Sequence, residues 1–359
     1  MREDRARIER RQFLKVLGGG LAAQAGFAAA DTRLSKGGAP FFRTRGVVLT
    51  PLDLTLEDWP ERASRAGLST IALHDSRSAR HVARFVQTPP GAQFREKCRT
   101  LGLAVEYELH AMSDLLPRDL FRKAPTLFRM NEHGERVADS NLCVHSKEAL
   151  EIAGQNTRGL ATLLPPTTGR YFFWGDDGAP WCRCPKCASL TESDQALIVS
   201  NHLLKVVRGW DPKARIAHLA YANTLQPPKL IKPDPGIFLE FAPIDREYDK
   251  PLAAHGNPAN QRNLQALDAN LEVFGCEEAQ VLEYWLDVSR FSNWKKPAQK
   301  LPFYPAAFAS DITTYGSRGI RHVTSFAAYI DATYVRSYGD PPLDIYGTQL
   351  RQWRPAKRV

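Results

Sequence analysis

The 359-residue sequence contains no long hydrophobic run, since no uninterrupted apolar stretch approaches the roughly 18 residues that a membrane-spanning helix needs. It also has no internal repeat and no low-complexity segment. The composition is 43% hydrophobic and 24% charged, which is ordinary for a globular protein. These absences exclude a polytopic membrane protein, a coiled coil and a disordered chain.

Several motifs of well-known chemistry are missing as well. There is no G-x-G-x-x-G, no P-loop, no H-E-x-x-H and no G-x-S-x-G. The net charge is +9, but the basic residues are spread out and form no tight cluster interleaved with aromatic residues. We therefore expect no organic cofactor and no nucleic-acid partner.

Residues 1–30 have the pattern of an export signal. Arg10 and Arg11 are followed by Phe13–Lys15 and then by a short Gly- and Ala-rich apolar run that ends in Ala28–Ala30. This pattern predicts a cleaved twin-arginine signal, the twin-arginine export machinery as a partner, and a periplasmic or secreted protein without stable membrane insertion. Because that pathway carries folded proteins, a metal or a reduced cysteine cluster can be assembled before transport. The alternative is a basic disordered tail.

After the signal, short β-rich runs alternate with longer amphipathic segments, which is typical of parallel strands joined by crossover helices. The predicted strands are Gly46–Thr50, Ser69–His74, Ala104–His110, Arg170–Gly175, Arg215–Tyr221, Ile237–Phe241, Gln280–Trp285 and Arg321–Phe326. The predicted helices are Leu56–Ala66, Phe94–Leu101, Ser146–Leu163, Thr191–Val207, Asn260–Phe274, Pro305–Tyr315 and Pro342–Trp353. The gap between Tyr221 and Ile237 is too short and proline-rich for a full helix. We expect one (β/α)8 barrel over residues 31–359, with its chemistry at the C-terminal ends of the strands.

Polar and aromatic residues are concentrated at those predicted strand ends. They are His74, Glu108, His110, Asp176, Asp177, Tyr221, Glu240, Glu283, Trp285 and Asp287. His74 and His110 are candidates to hydrogen-bond substrate hydroxyls, although a single histidine at a strand end is more often structural. The long loop Met112–Ser146 is expected to cover the same mouth.

The fourth predicted strand delivers two adjacent acids, Asp176 and Asp177, after the aromatic run Tyr171–Trp174. Gly175 and Gly178 allow the backbone to turn sharply around them. Two carboxyl groups close together beside tryptophan would raise the pKa of at least one of them, which suits a general acid. The alternative is ordinary turn chemistry, in which one aspartate caps the following helix.

The seventh predicted strand supplies Glu283 and Asp287 beside Trp285. Glycoside hydrolysis needs two carboxyl groups on opposite sides of the scissile bond, and strands four and seven face each other across such a barrel. We therefore expect Asp177 as proton donor and Asp287 as base or nucleophile. Asp176 and Glu283 would orient these two acids or bind hydroxyls, and aromatic residues would contact the sugar, namely Trp174, Tyr221 and Trp285. The alternatives are a core salt bridge for Glu283 and a turn cap for Asp287.

The cysteines are unevenly distributed. Cys182, Cys184 and Cys187 form C-x-C-x-x-C, Cys143 lies in the preceding loop, and two others, Cys98 and Cys276, stand alone in helical contexts. Thiolates at this spacing suit a tetrahedral structural zinc, with Cys143 as the possible fourth ligand. A disulfide between Cys143 and one cysteine of the cluster, or simple free thiols, are the alternatives.

The sequence resembles a bacterial family of unknown function, number 4838 in that series, from about Phe128 to Tyr346. Its marks are Asn141-Leu142-Cys143, Asp177-Gly178 followed by C-x-C-x-x-C, Asn201, Leu219-Ala220-Tyr221 with Gln226-Pro227-Pro228, Glu283-Tyr284-Trp285 with Asp287, and Gly319–Phe326. The resemblance implies an exported, glycan-active barrel related to hexosaminidases and α-glucuronidases, but the family has no assigned reaction. Family 20 hexosaminidases carry Asp-Glu after strand four, whereas this chain has Asp176-Asp177.

Taken together, the sequence predicts an exported glycoside hydrolase of hexosaminidase-like or α-glucuronidase-like type, with a carbohydrate substrate. The alternative is a carbohydrate-binding barrel of the cell envelope without activity. That alternative needs the aromatic residues but not the acids, so mutation of the acids separates the two. The aromatic residues it would use are Trp174, Trp181, Tyr221, Trp285 and Tyr329.

Overall fold

The computed structural model describes residues 38–356, so the predicted signal at residues 1–30 lies outside the described residues. Eight parallel strands pair in chain order, and β8 closes the barrel against β1. The strands are β1 Thr44–Leu49, β2 Thr70–Leu73, β3 Ala104–His110, β4 Arg170–Trp174, β5 Arg215–Ala220, β6 Ile237–Phe241, β7 Gln280–Glu283 and β8 His322–Phe326. The predicted (β/α)8 barrel is confirmed.

Eleven α-helices lie between and after the strands in the described part of the chain. They are α1 Trp59–Arg65, α2 Ala79–Val86, α3 Pro89–Thr100, α4 Met112–Leu115, α5 Lys147–Leu163, α6 Glu192–Val207, α7 Pro258–Phe274, α8 Val288–Phe291, α9 Pro305–Ser317, α10 Ala332–Tyr338 and α11 Leu343–Gln352. As expected, β5 and β6 are joined without an α-helix, through a 3₁₀ turn at Ala222–Thr224. None of the described helices is long and apolar enough to cross a membrane.

The sequence did not predict α2 or α10. The α10 segment contains β-branched and aromatic residues with low intrinsic helix propensity. It forms because the Asp331 side chain accepts a hydrogen bond from the Tyr334 amide at its start. Gly339 ends it with a φ of 79°, which glycine adopts at low cost. The end signals, rather than the helix interior, define this element.

The barrel interior below the mouth is polar. Gln280 on β7 donates hydrogen bonds to Glu108 on β3 and Glu240 on β6, at 3.1 Å each, and so bridges strands that are not all neighbours. Burial raises the pKa of both glutamates well above the ordinary value. Glu108 and Glu240 therefore form a buried layer beneath the mouth in which burial disfavours the charged carboxylates.

Candidate functional site

The loops that follow the C-terminal ends of the strands enclose a cavity of about 660 Å³, which is called the mouth cavity below. Its volume falls in the range typical of small-ligand sites, about 300–1,000 Å³. Its polar and aromatic lining includes Thr50, His74, Asp75, Arg77, His81, His110, Trp174, Asp177, Tyr221, Tyr284, Asp287, Ser289, Trp294, Phe326 and Tyr329. The residues predicted at the barrel mouth fall into two groups, those on this cavity and those behind it.

Asp177 lies on the mouth cavity with its side chain 43% exposed. Tyr221 donates a hydrogen bond from its hydroxyl to Asp177 Oδ1 at 3.0 Å. The Nε2 atom of His110 lies 3.6 Å from the same oxygen. The Tyr221 hydroxyl and the His110 ring therefore lie on the same side of the Asp177 carboxyl group.

The two predicted histidines lie side by side with ring centroids 5.7 Å apart. His110 is fixed by a 2.7 Å contact between Nδ1 and the Gly175 carbonyl, and His74 by the same contact with the Glu108 carbonyl. Because a carbonyl only accepts, Nδ1 carries the proton in both rings. Burial lowers the pKa of His74 to about 4, so that ring is neutral and its Nε2 is an acceptor.

Asp287 also lines the mouth cavity and is buried, with 3% of the residue exposed. Its Oδ1 accepts hydrogen bonds from the Ser289 hydroxyl at 2.6 Å and from the amides of Ser289 and Arg290 at 3.0 and 3.3 Å. These contacts make Asp287 the N-cap of α8. Burial raises the pKa of its carboxyl to about 6, against the effect of those donors. The expected cap and the expected site residue are therefore the same side chain.

Tyr284 belongs to the same electrostatic environment as both acids. Its pKa is raised well above the ordinary value, first by burial and then by neighbours that include Asp287 and Asp177. Its ring stacks on Phe326 at a centroid distance of 5.3 Å. The negative charges of both carboxyl groups thus contribute to the raised pKa of one buried phenol that lines the cavity.

Asp176 does not lie on the mouth cavity. Its Oδ2 accepts hydrogen bonds from the Arg118 guanidinium and from the Asn141 amide, the latter at 2.6 Å. Its own amide donates to Asn141 Oδ1 at 2.9 Å. We call this pair the Asn141–Asp176 clasp. It ties the loop after β3 to the loop after β4, so the Asp176 carboxylate is engaged between two loops, away from the mouth cavity.

Glu283 and Trp285 also lie away from the mouth cavity, contrary to the sequence expectation. The Glu283 carboxylate is fully buried and accepts hydrogen bonds from Arg246 at 2.8 Å and from the Tyr315 hydroxyl. Trp285 donates from Nε1 to Asp311 at 3.0 Å. Successive side chains of a strand point to opposite faces, so Leu282 and Tyr284 face the cavity while these two pack against the helices outside. For Glu283, the alternative of a core salt bridge is the observed arrangement.

Trp174 lies on the cavity but is almost fully buried, with 3% exposed. Its ring packs against His110 at a centroid distance of 5.1 Å. Gly175 follows it, and a Cβ there would lie 2.8 Å from the Trp181 ring and 2.9 Å from Asn141 Oδ1. Glycine is therefore required for the close approach between the end of β4 and the loop after β3. Trp174 forms the inner wall of the cavity.

Sequence reasoning missed much of the rim. Trp294 is 61% exposed at the cavity edge, and the Tyr329 hydroxyl donates to the Trp294 carbonyl at 3.1 Å. Both residues have positive φ angles, 54° and 70°, which are rare for aromatic residues and concentrate at functional loops. No sequence pattern marks Trp294 as a rim residue, because its place depends on a loop conformation without glycine.

The four clustered cysteines lie together, three in the loop after β4 and one, Cys143, in the loop after β3. Cys143, Cys182, Cys184 and Cys187 are all buried, and their sulfur atoms lie within 4.8 Å of one another. The Sγ of Cys143 is 3.8 Å from that of Cys184 and 3.9 Å from that of Cys187. Cys98 is buried elsewhere and Cys276 is half-buried, and all six cysteines are free thiols. The expected grouping of Cys143 with the C-x-C-x-x-C cluster is observed.

Solved structures of similar fold are glycoside hydrolases. The β-galactosidase from Rahnella sp. R3 gives a TM-score of 0.55 at 12% identity, covering 88% of this chain and 56% of that one. A family 42 β-galactosidase from G. stearothermophilus gives 0.52 at 13%, covering 87% and 57%. An exo-β-1,4-mannosidase from Opitutaceae bacterium strain TAV5 gives 0.50 at 13%, covering 88% and 60%. The chain therefore spans 56–60% of the length of these proteins, and the likeness is one of fold.

No curated protein matches the sequence. A family model does match, over residues 74–338, which begins earlier than the resemblance seen in the sequence from about residue 128. The matched region runs from His74, just after β2, through α10 and contains Asp177 and Asp287 of the mouth cavity. The chain belongs to the family described as domain of unknown function DUF4838.

Proposed function

We propose that this protein hydrolyses glycosides at the mouth cavity, with Asp177 and Asp287 as its two catalytic residues. The observation that supports the proposal is that two carboxyl groups from the exits of β4 and β7 reach one cavity in contrasting environments. Glycosidic cleavage uses one carboxyl group as the proton donor and a second as nucleophile or base. A buried carboxyl with a raised pKa, paired with a second carboxyl on the same cavity, meets that requirement.

The environments favour Asp287 as the proton donor. Its carboxyl is buried, its pKa is raised to about 6, and its described hydrogen bonds all end on Oδ1, so Oδ2 is the oxygen left for a leaving group. An acid in an apolar pocket that keeps its proton near neutral pH is suited to general acid catalysis. This assignment reverses the expectation from sequence, which gave the donor role to Asp177.

Asp177 is then the nucleophile or base. It is partly exposed on the cavity, where substrate and water can reach it, and it accepts the Tyr221 hydrogen bond beside His110. The Tyr221 hydroxyl occupies Oδ1, which leaves Oδ2 to attack the anomeric carbon or to take a proton from an attacking water molecule. Substrate hydroxyls are bound by the His74 Nε2 acceptor and sugar faces by the aromatic rings of Tyr284 and Trp294.

Hexosaminides and α-glucuronides are the first substrates to test, because the family resemblance relates this chain to enzymes acting on them. Arg77 and His81 line the cavity rim, and His81 Nδ1 lies 3.1 Å from Asp75. Arg77 gives the rim a cationic group able to pair with a uronate carboxylate. We therefore rank glucuronides above neutral hexosides in the screen.

The experiment is a screen of aryl and natural glycosides followed by two variants, Asp287→Asn and Asp177→Asn. General acid catalysis contributes about 10²- to 10⁴-fold, so Asp287→Asn should lose that much on a natural glycoside and far less on an activated aryl glycoside. Asp177→Asn should lose activity with both kinds of substrate, because attack is still required. The readout is kcat/KM on a matched pair of substrates.

A matched control is Asp249→Asn, which changes an exposed aspartate outside the cavity and should leave both rates unchanged. If Asp177→Asn, rather than Asp287→Asn, loses much more activity on the natural glycoside than on the activated aryl glycoside, the roles of the two acids are the reverse of those proposed. If no glycoside is cleaved while oligosaccharides bind and binding survives both substitutions, the protein is a carbohydrate-binding barrel of the cell envelope.

We also propose that the protein acts outside the cytoplasm after twin-arginine export directed by residues 1–30. The support is the Arg10-Arg11 pair and the Ala28–Ala30 exit in the sequence. Replacing both arginines by lysine should leave the precursor in the cytoplasm, measured by cell fractionation. Periplasmic recovery of the double variant would contradict the assignment.

A further inference from the structure

We propose that Cys143, Cys182, Cys184 and Cys187 bind one zinc ion, which fixes the loop carrying Asp177. A tetrahedral zinc holds its thiolates at about 2.3 Å, which places neighbouring sulfurs about 3.8 Å apart. The Cys143 sulfur lies 3.8 and 3.9 Å from those of Cys184 and Cys187, and all four sulfurs fit within 4.8 Å. The cluster therefore has the dimensions of the coordination sphere.

The surroundings of the cluster suit a metal held by four thiolates. Such a centre carries net negative charge, and the sulfur of Cys182 accepts contacts from the Met130 amide at 3.3 Å and from Arg136 Nη1 at 3.7 Å. These groups stabilise bound thiolates as donors around the ligands. Four sulfur ligands close the coordination sphere, so the zinc is structural and takes no part in the chemistry.

A disulfide explains the cluster less well. One bridge would use two of the four cysteines and leave two buried thiols against it. The Cys143 sulfur is almost equidistant from two partners, whereas a disulfide requires one partner at about 2.05 Å. Four convergent, buried sulfurs are what a single ion needs.

The zinc would connect two loops whose relative position controls the mouth cavity. Cys143 lies in the loop after β3, and the other three lie in the loop after β4. The Asn141–Asp176 clasp joins the same two loops two residues before Cys143 and directly before Asp177. The Asn141 side chain also donates to the carbonyls of Ala179 and Pro180, at 3.2 and 3.0 Å. Metal and clasp together fix Asp177 from both sides.

The test is metal analysis of the full chain, purified under reducing conditions without added metal. We expect one zinc per chain. Cys184→Ser should lose the zinc and lower Tm, while Cys276→Ala, which alters a half-buried cysteine outside the cluster, should keep one zinc per chain and the wild-type Tm. Neither readout depends on glycosidase activity, so failure of the proposed function leaves this test intact.

A second measurement serves if the serine variant does not fold. Alkylation of the wild-type protein should leave the four cluster thiols unmodified, and a strong chelator should release zinc and expose four more thiols to the reagent. Bound iron, or a metal-free protein in which Cys143 is paired in a disulfide, would overturn the proposal.

Discussion

The exits of β4 and β7 each carry two acids, and the two exits use them differently. At β4, Asp177 faces the mouth cavity and Asp176 holds the loop through Asn141. At β7, Asp287 faces the cavity and Glu283 holds the strand through Arg246. Each exit therefore pairs one acid on the cavity with one acid that fixes the backbone beside it.

The difference between the exits lies in how the cavity acids are held. Asp177 is 43% exposed and is contacted by a phenol and an imidazole, whereas Asp287 is buried and held by backbone amides and one serine. The same functional group thus lies in two different environments. The surroundings of an aspartate, rather than its place in a motif, determine what its carboxyl group can do.

The largest expected effect is a loss of stability on replacing Glu283, the acid that pairs with Arg246. Glu283→Ala should destabilise the fold by about 3–5 kcal/mol, because it leaves the Arg246 charge without one of its buried partners. Thermal or urea unfolding measures the loss. If the alanine variant does not fold, Glu283→Gln gives the same direction with a smaller loss.

The control for that prediction is Glu247→Gln, which breaks an exposed ion pair with Lys250 and should leave stability unchanged. An equal loss of unfolding free energy in both variants would mean that the buried Arg246 network contributes no more than a surface ion pair. Glu283 would then not be the acid that holds β7.

The structural acid at the β4 exit gives a smaller effect. Asp176→Ala removes the carboxylate partner of Arg118 and of the Asn141 backbone amide, and should cost about 1–3 kcal/mol of stability. Because the clasp positions Asp177, kcat should also fall by a similar factor on activated and unactivated glycosides. Asp177→Ala is the matched control, which should lower activity without that loss of stability. Equal stability losses would remove the distinction between these adjacent acids.

The sequence predicted the barrel well because each strand is a short run of buried, β-rich residues. The β3 and β6 boundaries are those predicted, while β7 was predicted to extend to Trp285 but ends at Glu283. The site was harder to predict at this strand end. Alternation alone turns Glu283 and Trp285 away from the cavity, yet the chain turns after Tyr284, where the Asp287 amide donates to its carbonyl at 3.1 Å. That turn brings Asp287 back to the cavity.

Other parts of the site depend on contacts distant in sequence. Glu283 pairs with Arg246 and Tyr315, which lie 37 and 32 residues away along the chain. The raised pKa of Asp287 comes from burial, and burial of one carboxyl cannot be read from residue types. The grouping of the cysteines could be predicted because three of them lie within six residues of one loop, as C-x-C-x-x-C. Cys143, in the preceding loop, was the candidate for the fourth position.

The pH dependence of the reaction sharpens the comparison of the two cavity acids. If Asp287 donates the proton, kcat/KM should fall as pH rises through about 6, since the protonated fraction then decreases about tenfold per pH unit. On an activated aryl glycoside, Asp287→Asn should lose this alkaline limb of the pH profile. If kcat/KM of Asp287→Asn still falls as pH rises through about 6, that fall belongs to the titration of another group.

The last expected effect comes from one hydroxyl beside Asp287. Ser289→Ala removes the 2.6 Å donor to Oδ1 but leaves both backbone donors. A hydrogen bond to a charged group contributes about 1.5–3 kcal/mol, so the pKa of Asp287 should rise by about one to two units, and the alkaline limb should move to higher pH by that amount. Ser317→Ala, on the exposed face of α9, should not move the limb.

The same substitution also changes stability in a defined direction. The folded-state pKa of Asp287 lies above its unfolded value, so the native state binds more protons between the two, and its contribution to stability falls as pH rises through that window. Removing the Ser289 donor raises the folded-state pKa further, so the pH range over which stability falls extends to higher pH. Unfolding free energies of Ser289→Ala and wild type should therefore agree most closely at pH values below about 4, where the carboxyl is protonated in both states, and diverge as pH rises past 6. A constant difference at all pH values would show that the Ser289 hydroxyl acts on packing and leaves the proton affinity of Asp287 unchanged.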